Sequence, residues 1–293
     1  MTIKKLMVPF LEAEMAERAF NAAIVVAKQC KAHLDVVHMR QRITPALPGN
    51  VYYPIATTYV EENLEILNEA ADQRAADLKK KFETLCSEQS ITVVEQAEHT
   101  DDKGATASWE DTEKNLPHDL AIRARVADVT VLARPNEYAP QYMMSLIEEI
   151  IFQSGQAVLV VGKDHTVGAL PKTVMVAWDG GREAARAVSA SLPILQQAET
   201  VIVAGIGDSP LGAEPPESAA SFLKLHGIHA VHIHKTLDKH DDAEEVLLGL
   251  AKSKNADLVV MGAYSHSRWR EMVLGGFTRF MLRHSDIPVL MAH

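Results

Sequence analysis

Ala256-Asp-Leu-Val-Val-Met-Gly262, a polar loop to Gly275-Gly-Phe-Thr-Arg-Phe-Met-Leu-Arg283, and Ile287-Pro-Val-Leu-Met291 together decide how this chain reads. The two short apolar runs, bounded by turn residues, predict buried strands. Between them Phe277, Phe280 and Met281 recur at helical spacing. Strand, glycine loop, helix, strand is the order of a parallel α/β unit. Its loop leaves the carboxyl end of the first strand, and Gly275-Gly276 stands where the helix begins. Unbonded N–H groups and the positive helix end suit that place to an anion, most often phosphate.

Working outward, the chain repeats itself. Lys5-Leu-Met-Val-Pro-Phe10 and a helix holding Ala16-Glu-Arg-Ala19 return as Thr173-Val-Met-Val-Ala-Trp178 and Ala184-Ala-Arg-Ala187. The offset is a constant 168 residues, Leu6 to Val174 and Arg18 to Arg186. Ala127-Asp-Val-Thr-Val-Leu132 matches Ala256-Asp-Leu-Val-Val-Met261, and Gln156-Ala-Val-Leu-Val-Val161 matches the closing run. Two copies of one unit explain this, residues 1–165 and 166–293, joined by the polar stretch Gly162 to Pro171.

In the first copy we expect strands at Lys5–Pro9, His33–His38, Ile91–Glu95, Val129–Leu132 and Ala157–Val161. In the second they fall at Thr173–Ala177, Thr200–Ile206, Ala230–Lys235, Leu258–Met261 and Pro288–Met291. Helical patterns alternate with them, which predicts an α/β fold of two doubly wound parallel five-stranded sheets. The longest helix, about Ala56 to Ser87, carries an apolar stripe at Leu64, Leu67, Ala71 and Leu78 on an otherwise charged, solvated surface. Gln41 to Tyr53, with two prolines and a glycine, reads as a long loop. Ligands in such sheets sit beyond the carboxyl ends of the strands, where strand order reverses.

Composition excludes several classes. Hydrophobic residues are 47% and charged residues 23%, the make-up of a globular protein. A net charge of −10 has the wrong sign for a general nucleic-acid binder. No stretch reaches the roughly 20 apolar residues of a membrane span. Cys30 and Cys86 are too few for a disulfide framework, and the start of the chain lacks the pattern of a signal peptide, so a cytoplasmic location is expected.

The tandem repeat, Asp179 after the first strand of copy two, and Gly262-x-x-Ser265-x9-Gly275-Gly276 before a helix and a Pro-Val-Leu strand resemble the universal stress protein family, in its tandem two-domain type. The resemblance implies an adenine nucleotide alpha hydrolase-like fold, with the closing strands of the copies pairing into a pseudo-dimer. Homodimers and further protein partners are also in keeping with it. It implies a role in the stress response through binding ATP or a related adenine nucleotide, without a metal firmly implied. The site it marks comprises Ala177, Trp178, Asp179, Ile206, Met261, Gly262, Ser265, Gly275, Gly276, Phe277 and Thr278. Family members that bind nucleotide carry Gly-x2-Gly-x9-Gly followed by Ser or Thr. Here Ser265 replaces the second glycine and Gly276 the hydroxyl residue. Thr278 or Ser267 could supply that hydroxyl, and Arg268 or Arg270 could meet a phosphate. The alternative is a nucleotide-free interaction scaffold with a degenerate site.

The first copy lacks these features. Leu11 stands at the place of Asp179, Ala133-Arg134-Pro135-Asn136 follows the fourth strand, and Glu148 and Glu149, expected near a helix start, would repel phosphate. We therefore expect at most one nucleotide per chain. Elsewhere, no P-loop, dinucleotide fingerprint or nucleophile elbow is present, so no catalytic constellation emerges and a slow ATPase is the most that the pattern allows. His226, His229, His232 and His234, with Asp238 or His240, raise a metal site against plain polar surface on an edge strand.

Overall fold

The computed structural model describes residues 2–40, 54–97, 104–113, 117–136, 142–162, 169–208, 213–264 and 276–293. The loop from Gln41 to Tyr53 and residues 163–168 of the connecting stretch lie outside them. The first half runs β1 (Lys5–Pro9), α1 (Ala13–Cys30), β2 (His33–Met39), α2 (Pro54–Glu88), β3 (Thr92–Val93), β4 (Thr106–Thr112), α3 (His118–Ala124), β5 (Val129–Ala133), α4 (Tyr142–Ser154) and β6 (Ala157–Val161). The second half runs β7 (Thr173–Ala177), α5 (Arg182–Leu195), β8 (Thr200–Ile206), α6 (Pro216–Leu225), β9 (Ala230–Lys235), α7 (Ala243–Ser253), β10 (Leu258–Gly262), α8 (Gly276–His284) and β11 (Val289–Ala292).

The strands form one sheet in the order β3-β4-β2-β1-β5-β6-β11-β10-β7-β8-β9. Every neighbouring pair is parallel except β6 and β11, which run antiparallel with Leu159 opposite Leu290. One antiparallel pair inside an otherwise parallel sheet is what a local two-fold between two parallel units produces. The expected pairing of closing strands is thus present, and it makes the two sheets continuous. It also covers two apolar edges, which left open would invite aggregation. Val158, Leu159 and Leu290 are buried there.

The same local chemistry builds each half. Asp128 Oδ2 accepts the N–H groups of Lys4 (2.7 Å) and Lys5 (2.9 Å), and Asp257 Oδ2 accepts those of Lys172 and Thr173, both at 2.9 Å. Asp128 thus ties the start of β5 to that of β1, and Asp257 the start of β10 to that of β7. Arg18 Nη1 donates to the Gly162 carbonyl (3.3 Å) and Arg186 Nη1 to that of His293 (2.8 Å), just past the closing strand in each case. The aligned arginines of the repeat therefore have one job.

Helices form where small and apolar residues recur every three or four positions. In α1 these are Met15, Ala16, Ala19, Phe20, Ala23 and Ala27, all buried. Lys31, left-handed at φ 50°, ends that helix by returning its N–H to the Ala27 carbonyl. In α2 the expected stripe is shifted: Leu67 is 48% exposed, and the buried face is Ala75, Leu78, Phe82, Leu85 and Cys86. Among the described residues, the fully buried face of this helix lies in its carboxyl-terminal half.

Among the described residues the first half has six strands rather than five. The expected third strand shrinks to the two exposed residues of β3 at the sheet edge. Its place beside β2 is taken by β4, whose seven residues pair with His33 through Met39. Thr106-Ala-Ser-Trp-Glu-Asp-Thr112 has no apolar run, so periodicity does not mark it. Pairing on both sides and the packing of Trp109 against Phe10 and Phe82 hold it in place.

Candidate functional site

In the second half, strand order reverses between β7 and β10: the chain proceeds from β7 to β8 on one side and returns to β10 on the other. Ala177 ends β7 opposite Met261 of β10 and Ala204 of β8, and Ile206 ends β8. Trp178, Asp179 and Gly262 follow at the carboxyl ends. Seven of the eleven expected residues, counting Thr278 through its bond to Tyr264, thus converge on the place where such sheets bind ligands. Gly276 and Phe277 stand in the same first turn of α8 as Thr278. Ser265 and Gly275, with Ser267, Arg268 and Arg270, lie outside the described residues.

Several of these residues have an internal partner to be weighed. Asp179 Oδ1 accepts the Gly181 N–H at 2.8 Å, a turn that sets up α5. Its second carboxylate oxygen remains for a ligand. The Trp178 indole N–H donates to the Glu214 carbonyl at 2.8 Å, fastening the end of β7 to the segment before α6. Gly180, at φ +75°, belongs to that same seam: a Cβ there would stand 2.6 Å from the Cβ of Ala213. Gly262 is required by packing, since a Cβ would lie 2.6 Å from the Ala184 nitrogen at the start of α5. That approach is the reason for the glycine in the described structure. Beside it, Glu183 is buried; burial works to raise its carboxyl pKa, but Arg182 and its own backbone N–H outweigh that and hold it below the usual range.

At α8 the site gains a feature beyond the motif. The Tyr264 N–H donates to Thr278 Oγ1 at 3.0 Å, joining the residue two past Gly262 to the first turn of α8. The two ends of the glycine loop are therefore clasped together. Thr278 is the expected substitute for the missing hydroxyl, and as an acceptor from Tyr264 it still carries a proton to donate. Gly276 is exposed, and a Cβ there would meet nothing within 4 Å. The first N–H groups of α8 have no partner within the helix. That turn offers an anion both donors and room.

Sequence reading missed the surroundings of Tyr264. Its φ is +56°, and its ring stacks on Phe152 of α4 with centroids 4.2 Å apart. Phe152 also meets His293 edge-on, and His293 Nδ1 pairs with the Ala263 carbonyl at 3.0 Å. Arg279 Nε donates to Glu148 Oε1 at 3.0 Å. Glu148 and Glu149 thus lie in the middle of α4, not near a helix start, and Glu148 faces the second half. An x position in a glycine motif and residues about 110 positions away carry no local signal.

The corresponding place in the first half is filled. Phe10, aligned with Trp178, is fully buried edge-on to Phe20, Phe82 and Trp109. Leu11, Met15, Leu132, Ala133, Met143, Leu146 and Ile147 make an apolar cluster where an anion would go. Arg134 leaves it altogether: its Nη1 donates to the carbonyls of Arg283 (3.0 Å) and Ser285 (2.8 Å) at the carboxyl end of α8.

Among the described residues no group of three or more metal-ligating side chains is assembled. His232 pairs with Glu217 at 3.3 Å and His234 Nε2 with the Gly207 carbonyl at 2.8 Å. No described helix is long and apolar enough to cross a membrane.

Fold and site together define a tandem α/β protein whose expected site residues gather at the switch point of the second half. Residues 171–293 match the model of the universal stress protein family. Universal stress protein Slr1230 of Synechocystis sp. is 44% identical over 48 residues, a match spanning 16% of this chain and 17% of that relative. The crystal structure of a universal stress protein from Archaeoglobus fulgidus DSM 4304 covers 99% of this chain and 96% of its own, with a TM-score of 0.63 at 15% identity. A Pseudomonas aeruginosa PAO1 protein, PA1789, covers 99% and 92% with a TM-score of 0.57 at 13% identity. At those identities the likeness is one of fold, and it extends the architecture to the first half.

Proposed function

We propose that this chain is a universal stress protein acting in the cytoplasmic stress response by binding one adenine nucleotide, ATP first among them, in its second half. Ala177, Trp178, Ile206 and Met261 line the nucleoside end, Asp179 takes a ribose or base edge through its second oxygen, and Gly262, Gly275, Gly276, Phe277 and Thr278 with Ser265 form the phosphate end. The observation that carries the reading is the Tyr264–Thr278 bond, which clasps the glycine loop to the first turn of α8 beyond the switch point. The test is calorimetry of the intact chain with ATP, ADP, AMP and adenosine. Asp179→Ala weakens nucleoside recognition and keeps the phosphate contribution. Ser265→Gly with Gly276→Ser strengthens binding by about tenfold if a regained hydrogen bond and relieved strain add to about 1–2 kcal/mol.

A second reading, a nucleotide-free scaffold, draws on the internal partners of Asp179, Trp178 and Gly262, each of which packing alone explains. If the wild type binds no nucleotide and the restored variant does, that reading holds; if neither binds, Trp178 filling the pocket is the explanation, and Trp178→Val in the restored background tests it. No hydrolysis is proposed for either.

A further inference from the structure

Tyr264 is held in a left-handed conformation that a non-glycine side chain rarely adopts. Three contacts define it. Its N–H lies on Thr278 Oγ1, its ring is stacked on Phe152, and its hydroxyl is buried beside the Glu148–Arg279 pair, short of a well-formed hydrogen bond to either. Two of the three come from α4, an element of the other half. Phe152 further touches His293, which holds the Ala263 carbonyl, so a single ring braces two consecutive residues after Gly262. Glu148 fixes Arg279, the residue after Thr278 in α8. The far end of α8 is held by Arg134, again from the first half.

We propose that α4 of the first half belongs to the ligand site of the second: Phe152 and Glu148 are positioning residues that hold Tyr264 and the first turn of α8 in phosphate-binding geometry. This rests on the nucleotide reading given above. It assigns the first half, whose own site is filled by Phe10 and Leu11, the work of shaping its neighbour's. Neither residue touches the nucleoside end, so its influence falls on phosphate recognition. Burial and the neighbouring Glu148 carboxylate also push the Tyr264 phenol well above its usual range, which keeps it neutral within the cluster.

The experiment uses the intact chain as wild type, Phe152→Ala, Phe152→Tyr and Glu148→Gln, the last of which preserves side-chain volume. Two quantities are read: backbone hydrogen exchange of Tyr264 and of residues 276–280, and affinity for ATP beside adenosine. Phe152→Ala and Glu148→Gln raise exchange at Tyr264 and weaken ATP binding by about fivefold or more, leaving adenosine affinity and exchange in β8 unchanged, and Phe152→Tyr restores both. Unchanged exchange at Tyr264 in Phe152→Ala overturns the proposal, as does an equal loss of ATP and adenosine binding or faster exchange throughout the second half. Should the wild type take up no ATP, it is the nucleotide reading that fails, and exchange at Tyr264 alone still decides whether α4 sets this segment.

Discussion

Arg134 of the first half donates to the carbonyl of Ser285 in the second at 2.8 Å, and to that of Arg283 at 3.0 Å. In the repeat, Arg134 stands where Ala263 does, one residue past the strand that leads into the glycine loop. Where the second half leaves β10 for its glycine-containing loop, the first sends a cation to the last carbonyls of α8. A guanidinium suits that helix end, because several carbonyls there lack partners and the dipole is negative. Arg134 is 8% exposed, so water cannot readily replace it.

Replacing Arg134 by Met leaves the buried Ser285 carbonyl and the part-buried Arg283 carbonyl without this donor, and the chain should lose about 1.5–3 kcal/mol of stability, the worth of hydrogen bonds to a charged group. Arg134→Lys should recover only part, since an ammonium cannot fork between two carbonyls as a guanidinium does. Urea denaturation measures both; an unchanged midpoint for Arg134→Met would show that the contact contributes nothing.

The junction of the halves makes a geometric prediction. Leu159 and Leu290 are opposite partners across antiparallel β6 and β11. Opposite residues in such a pair have Cα atoms about 4.5–5.5 Å apart, within reach of a disulfide. In a chain with Cys30→Ser and Cys86→Ala, Leu159→Cys with Leu290→Cys should crosslink within one molecule on mild oxidation. Leu159→Cys with Val289→Cys, out of register, should do so poorly. Equal yields would reject the register.

Cys86 is buried on α2, and burial, aided by the charge of Glu83, pushes its thiol up to about 12 from 9.0. The folded state therefore keeps this proton where the unfolded state loses it. The stability this contributes is fully present below pH 9 and is lost as pH rises through 12. Compared with wild type, Cys86→Ala should show a flatter fall of stability over that window. Iodoacetamide at pH 8 should label Cys86 only on unfolding; prompt labelling of the folded chain would contradict its burial.

Most strands could be read from the sequence because each is an apolar run closed by turn residues, as in Val129–Ala133 or Ala157–Val161. β4 could not: Ser108, Glu110 and Asp111 break any apolar pattern, and the strand exists through its pairing with β2. The repeat was legible down to single residues, since Arg18 and Arg186 make the same bond. At the site, Asp179 and Gly262 were placed by pattern, but the need for Gly262 lies in the approach of α5, a contact between distant elements. Phe152, Glu148 and Arg134 act across the junction of the halves, where no spacing rule reaches. Glu148 reads as a phosphate-repelling charge in isolation, and the structure turns it toward Arg279.

The central claim is one nucleotide site per chain, in the second half. Native mass spectrometry of the intact protein with ATP addresses it directly, with wild type beside Asp179→Ala, Thr278→Val and the Ser265→Gly, Gly276→Ser variant. The account predicts a single added ATP, reduced by either of the first two substitutions and increased in occupancy by the last, which Gly276 has the room to accept. Two equivalents of ATP, or one that survives both Asp179→Ala and Thr278→Val, or none even in the restored variant, would contradict it.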